Sequence, residues 1–162
     1  MFQVNDVVVH YRDGVSVITD TVMMGDCEYF AIRAKRVGDV SIYVPVLNAI
    51  NIIRKVMTKD EALKLLEYMN NLPELYITNT KQRRDEFKKR LASGNIEDIA
   101  FLTKMYILFK HNCFVTENVK FGPMDLEMLK DAYNRLYDEF AESFNINREK
   151  VHDFVVSKIN LK

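Results

Sequence analysis

The feature that most constrains this chain is a change of hydrophobic period at Thr58. Ahead of it, short β-branched and aromatic runs alternate at a spacing of two, broken by Asp13-Gly14, Gly25-Asp26 and Gly38-Asp39. Val7, Val8 and Val9 form one run; Val15, Val17 and Thr19 alternate with Ser16 and Ile18 in the next. Further runs cover residues 27–34 and 40–46, and an apolar run over 49–56 closes the segment. Strands this short, separated by turns about every dozen residues, predict a small antiparallel barrel of about five strands. Pro45, lacking an amide hydrogen, belongs at a strand end or on an edge.

From Thr58 onward the apolar residues recur at three and four. Thr58-Lys59-Asp60-Glu61 is a capping box, and Ala62, Leu65, Leu66 and Met69 make the buried face of a first helix that ends at 70–73. A second helix runs up to Ser93-Gly94, a C-cap signal. Asn95, with Asp98 three residues on, starts a third, apolar on most sides (Ile99, Leu102, Met105, Tyr106, Leu108, Phe109) and therefore central. Residues 112–122 read as a loop. Pro123 then suits the first turn of a long fourth helix with Leu126, Leu129, Tyr133, Leu136, Tyr137, Phe140 and Phe144 inward. Its outer face reads as acidic, since residues 125–142 hold six acids against two bases. Asn145 or Asn147 caps a fifth helix carrying Val151, Phe154, Val155 and Ile159. The predicted fold class is α+β, a barrel over residues 1–56 followed by a bundle of about five helices over 57–162.

Charge is unevenly spread in a chain whose total balances to zero. The β half is even, but residues 81–90 carry six bases (Lys81, Arg83, Arg84, Lys88, Lys89, Arg90) against Asp85 and Glu86. At helical spacing Thr80, Arg84, Phe87 and Leu91 form a stripe that Phe87 and Leu91 can anchor, with cations on both shoulders. Such a helix suits a row of phosphates. The competing reading is a solvated helix whose long bases lie over a core. Net neutrality argues against a general nucleic-acid coat protein, not against one small basic site. With no secretory leader and no apolar run of about 18 residues, the expected location is cytoplasmic. Cys27 and Cys113 are expected to be buried free thiols.

The sequence supplies no catalytic signature. His10, His111 and His152 sit on different elements; His111-Asn112-Cys113 is adjacent but has no second pair, so no metal or cofactor is expected. Neither a phosphate-cradling glycine loop nor a nucleophile elbow is present. That leaves binding. Tyr29, Phe30, Ile42 and Tyr43 are candidates for an exposed patch on the barrel, although alternation would bury half of them. Tyr76, just ahead of the basic helix, could wedge against a base step or simply pack in the fold.

Three phrases then carry a resemblance. Val8-Val9-His10-Tyr11-Arg12-Asp13-Gly14-Val15 is similar to the opening V-V-Y-x-x-x-G-V, and Val44-Pro45-Val46-Leu47-Asn48-Ala49 to V-P-V-x-N-A. Tyr76-Ile77, Arg83-Arg84, Phe87 and Leu91-Ala92-Ser93-Gly94 follow W-I, R-R, an aromatic and L-x-S-G. Residues 126–146 look like the last helix of the same family. The chain resembles the CarD/CdnL family of bacterial RNA-polymerase-binding transcription regulators, whose N-terminal module is shared with the transcription-repair coupling factor. The resemblance implies a Tudor-like, SH3-like barrel that docks on the polymerase β subunit near its lobe and protrusion, around Thr21, Val22, Met23, Ile42 and Tyr43. It implies a helical domain touching promoter DNA at the upstream edge of the bubble through Tyr76 and the basic helix, altering open-complex stability. It also implies a non-enzymatic, monomeric protein that reaches the nucleoid through polymerase. This chain has no Trp, so Tyr76 stands where the family places its wedging tryptophan, and the arginines some members use on the barrel are absent. Two rivals remain: a protein-interaction module without DNA contact, and an enzyme with a site assembled between barrel and bundle.

Overall fold

The computed structural model describes residues 1–114 and 118–161. The chain forms two compact units, Met1–Val56 and Met57–Lys162. Part of the loop expected over 112–122, namely 115–117, lies outside the described residues.

The first unit is an antiparallel sheet of β1 (Val7–His10), β2 (Gly14–Met24), β3 (Cys27–Ala34), β4 (Ser41–Pro45) and β5 (Ile53–Lys55), in the order β4-β3-β2-β1-β5. β2 is long enough, at 11 residues, to pair with β1 through its first half and with β3 along most of its length. The register slips between Ile18 and Asp20, a bulge that bends the strand there. Gly25 takes φ 62° in the β2–β3 turn, a conformation that strains any residue with a Cβ. Val8, Ile18, Phe30, Ile32, Val44, Ala49 and Ile53 form the core.

One expectation fails here. The run 40–46 is strand only at Ser41–Pro45, and the run 49–56 only at Ile53–Lys55. Pro45, at φ −57°, ends β4, and Val46–Asn51 forms a 3-10 helix. Proline has no amide hydrogen to continue a ladder, so the chain turns there.

The second unit holds α1 (Lys59–Asn71), α2 (Thr80–Ser93), α3 (Ile96–Lys110), α4 (Pro123–Phe144) and α5 (Arg148–Lys158). The capping box is realised: Thr58 Oγ1 accepts from Glu61 N at 3.2 Å, and Glu61 Oε2 accepts from Thr58 N at 2.8 Å. Ala62, Leu65, Leu66 and Met69 are the buried face of α1, as the period requires. Gly94 closes α2 at φ 64°. The apolar α3 is the central helix, meeting α1, α2 and α4. Its buried Lys104 donates to Asn70 O at 3.2 Å and Leu72 O at 2.6 Å, satisfying carbonyls left over at the end of α1. Burial lowers the pKa of Lys104, and Glu74 acts in the opposite sense.

The acidic outer face expected for α4 is not one. Asp125 and Glu139 are buried, Asp131 pairs with Arg135 at 2.7 Å, and Asp138 pairs with Arg148 at 2.8 Å. Carboxylates spaced over 18 residues of helix point all round it, and composition does not record which side each one takes. The cysteines are also corrected. Both are free, but Cys27 is exposed beside the β2–β3 turn and Cys113 is only half-buried.

Candidate functional site

Cross-strand partners share a face, so the register decides what the sheet presents. Tyr43, Ala31 and Asp20 lie in one outward row, Pro45, Tyr29 and Val22 in the next. Val44, Phe30 and Thr21 lie in an inward row, and Ile42, Ile32 and Ile18 in another. The five residues expected on the polymerase-facing surface are therefore divided. Val22 and Tyr43 face outward with Tyr29, and Tyr43 is 51% exposed. Ile42 packs on the core and Thr21 stands opposite buried Phe30. Met23 belongs to the inward series but lies at the hairpin end, opposite Glu28, where it is 64% exposed. Of the expected patch, Phe30 is core. A cleft of about 470 Å³ opens beside edge strand β4, lined by Tyr11, Val37, Val40, Ile42 and Tyr43 with Arg12 and Asp13.

In the second unit the six bases of 81–90 have different fates. The inward seam of α2 runs through Arg83 and Phe87, not through Arg84 as the period suggested. Arg83 is 4% exposed and donates from Nε and Nη2 to Asp125 Oδ2 at 3.1 and 2.8 Å. Asp125, fully buried at the third position of α4, also accepts from Gly122 N at 2.9 Å. Arg83 Nη1 reaches Ile77 O at 3.0 Å and Tyr76 Oη at 3.4 Å. A single buried carboxylate thus fixes the arginine that holds the 76–78 segment. The approach is close: a Cβ on Gly122 would lie 3.4 Å from Arg84 Nη2.

Tyr76 is half-buried and rigidly held. Its hydroxyl donates to Lys120 O at 2.8 Å and accepts from Lys120 N at 2.9 Å. Its ring packs edge-on against Phe121 and Phe114, at centroid distances of 5.6 and 6.5 Å. A small hollow of about 170 Å³ lies against it, lined by Phe87, Phe101 and Met105. Arg90 bridges Glu86 at 2.8 Å and Asp98 at 2.9 Å while stacking on Phe101 at 4.0 Å. It ties α2 to α3.

What remains outward are exposed Lys81, Lys88 and Lys89, with Arg84 half-exposed and its Nε 3.9 Å from Asp125 Oδ1. Lys81, Arg84 and Lys88 follow the i, i+3, i+7 line of a single helix face, which spans about 10 Å. Lys89 flanks it. The sequence missed Asp125, Gly122 and the Lys120 backbone as partners of Tyr76 and Arg83. The one available signal was an acid three residues into a helix that starts with Gly-Pro.

Comparison with protein-family profiles matches residues 2–57 to the CarD-like/TRCF RID domain. That match spans the first unit almost end to end. RID modules interact with RNA polymerase through its β subunit, and theirs is a family of protein-interaction modules, not a known enzyme family. No curated protein matches the chain. Among the described residues no helix is long and apolar enough to cross a membrane.

Proposed function

We propose that this protein is a transcription regulator that binds the RNA polymerase β subunit, at its lobe and protrusion, through the outward rows of the RID sheet. Its helical unit then contacts promoter DNA at the upstream edge of the bubble through the Lys81–Arg84–Lys88 line, Lys89 and the Tyr76 ring. The observation that carries the reading is the RID match over residues 2–57, joined in one chain to a helix with an outward basic line. Tethering removes the need for strong intrinsic DNA affinity, because effective concentration replaces it. That suits a chain of zero net charge. The mechanism is differential binding: preference for the open promoter complex shifts the equilibrium by the difference in affinity alone, tenfold for about 1.4 kcal/mol.

One observation favours the second reading, a polymerase-binding module without DNA contact. Arg83 is spent on Asp125, Arg90 on Glu86 and Asp98, and the Tyr76 hydroxyl on Lys120. The test has two parts. Purified protein is captured on the β lobe, with Val22→Asp and Tyr43→Asp as outward variants and Lys59→Ala as control; both aspartates should abolish capture. Open-complex lifetimes are then measured with the triple variant Lys81→Ala, Lys88→Ala, Lys89→Ala. A shortened lifetime supports DNA contact, and an unchanged one selects the second reading. Failure of the unaltered protein to bind polymerase overturns both.

A further inference from the structure

His111, which the sequence leaves without a partner, acquires one in the fold from 41 residues further on: His111 Nε2 and His152 Nε2 lie 3.1 Å apart. The ring planes are 12° from parallel with centroids 5.2 Å apart. A centroid separation longer than the nitrogen contact by about two ring radii means that the imidazoles meet edge to edge. Two ring nitrogens at that distance hold one proton between them, one donating and the other accepting. A second proton makes both nitrogens donors and the contact repulsive.

We propose that the His111–His152 contact is an acid-sensitive latch that secures α5 to the end of α3 and opens when the pair takes up a second proton. His111 is the C-cap residue of α3, and His152 lies in the middle of the 11-residue α5. From α4, Tyr137 Oη and Tyr133 Oη approach His152 Nδ1 at 3.1 and 3.4 Å, fixing the ring. The charges around the pair are mostly positive. Lys110 on α3 lies over the rings of Tyr106 and Tyr133, and Arg148 on α5 over those of Tyr133 and Tyr137. α5 carries two acids, Glu149 in its first turn and Asp153, of which Asp153 acts on His152, and Asp138 on α4 already holds Arg148. α1 also meets α5, and just past the end of α5 Asn160 N donates to Asn70 Oδ1 at 2.8 Å.

Burial depresses the His152 pKa, followed by the fields of Lys110 and His111, with Asp153 acting the other way. An unfolded α5 therefore binds the proton more readily than a docked one. The latch contributes fully above about pH 6.5 and is lost as pH falls through the depressed folded value. A helix of this length does not persist alone in water, so release also means melting. The inference concerns the helical unit alone and stands or falls independently of polymerase binding.

Amide hydrogen exchange on the intact chain tests it, following α5 against the interior of α3 from pH 7.5 to 5. The protection factors of α5 should fall by up to tenfold per pH unit below about pH 6, one proton's worth, while those of α3 hold. His111→Gln and His152→Gln should each flatten that dependence. Equal pH dependence in α3 and α5, or an unchanged slope in both variants, overturns the latch. If a variant loosens α5 already at pH 7.5, imidazole titration of the unaltered protein by NMR decides. Coupled titration, with its second step below the ordinary histidine value, supports the latch. Two independent titrations near pH 6.5 overturn it.

Discussion

Substituting Asp125 by Ala should be among the most damaging single changes in the helical unit. Arg83 and Asp125 are 4% and 0% exposed, so neither charge can turn to water. Without the carboxylate, the guanidinium keeps only backbone carbonyls of the 77–78 segment and the Tyr76 hydroxyl. Breaking a buried pair from one side costs about 3–5 kcal/mol, against about 5–15 kcal/mol for the whole stability of a typical domain. Replacing both partners by apolar residues, Arg83→Met with Asp125→Leu, removes two desolvation costs along with the attraction. The double variant leaves no uncompensated charge, only Gly122 N and Ile77 O without their partners, and should therefore recover part of the loss. Urea unfolding followed by ellipticity at 222 nm reads the helical unit, and the cycle of four proteins isolates the coupling. A single Asp125→Ala change costing under about 1 kcal/mol would refute the account. So would a double variant as damaged as the sum of the singles.

Gly94→Ala places a Cβ at φ 64° and should cost about 1–2 kcal/mol in the same urea assay. Phe87, almost fully buried where α2 meets the core, should cost about 3–5 kcal/mol on truncation to Ala. Lys104→Met keeps the volume but orphans the carbonyls of Asn70 and Leu72; a loss of about 1–3 kcal/mol, with fraying of α1 in amide exchange, is expected. On duplex DNA, Lys88→Ala should weaken binding equally across sequences and reduce the salt slope by about one, measured by anisotropy between low and moderate salt.

Local rules determined much of this protein from the sequence alone. The period change at Thr58 set the order of β unit and helices, and Thr58-Glu61, Gly94 and Pro123 marked helix ends, because caps and turns are decided within a few residues. The phrases around Val8 and Pro45 were enough to suggest the RID module now matched over residues 2–57. Only tertiary structure decided which charges are free. Arg83 and Arg84 are neighbours in sequence with the same chemistry and both face Asp125, yet one is sealed against it at 2.8 Å and the other, at 3.9 Å, keeps about a third of its side chain in solvent. Register likewise separated Ile42 from Tyr43 and placed Thr21 opposite Phe30. Pairing of this kind rests on long-range contacts, where a rotation of one residue, 100° in a helix or a reversal of face in a strand, exchanges a buried group for a solvated one.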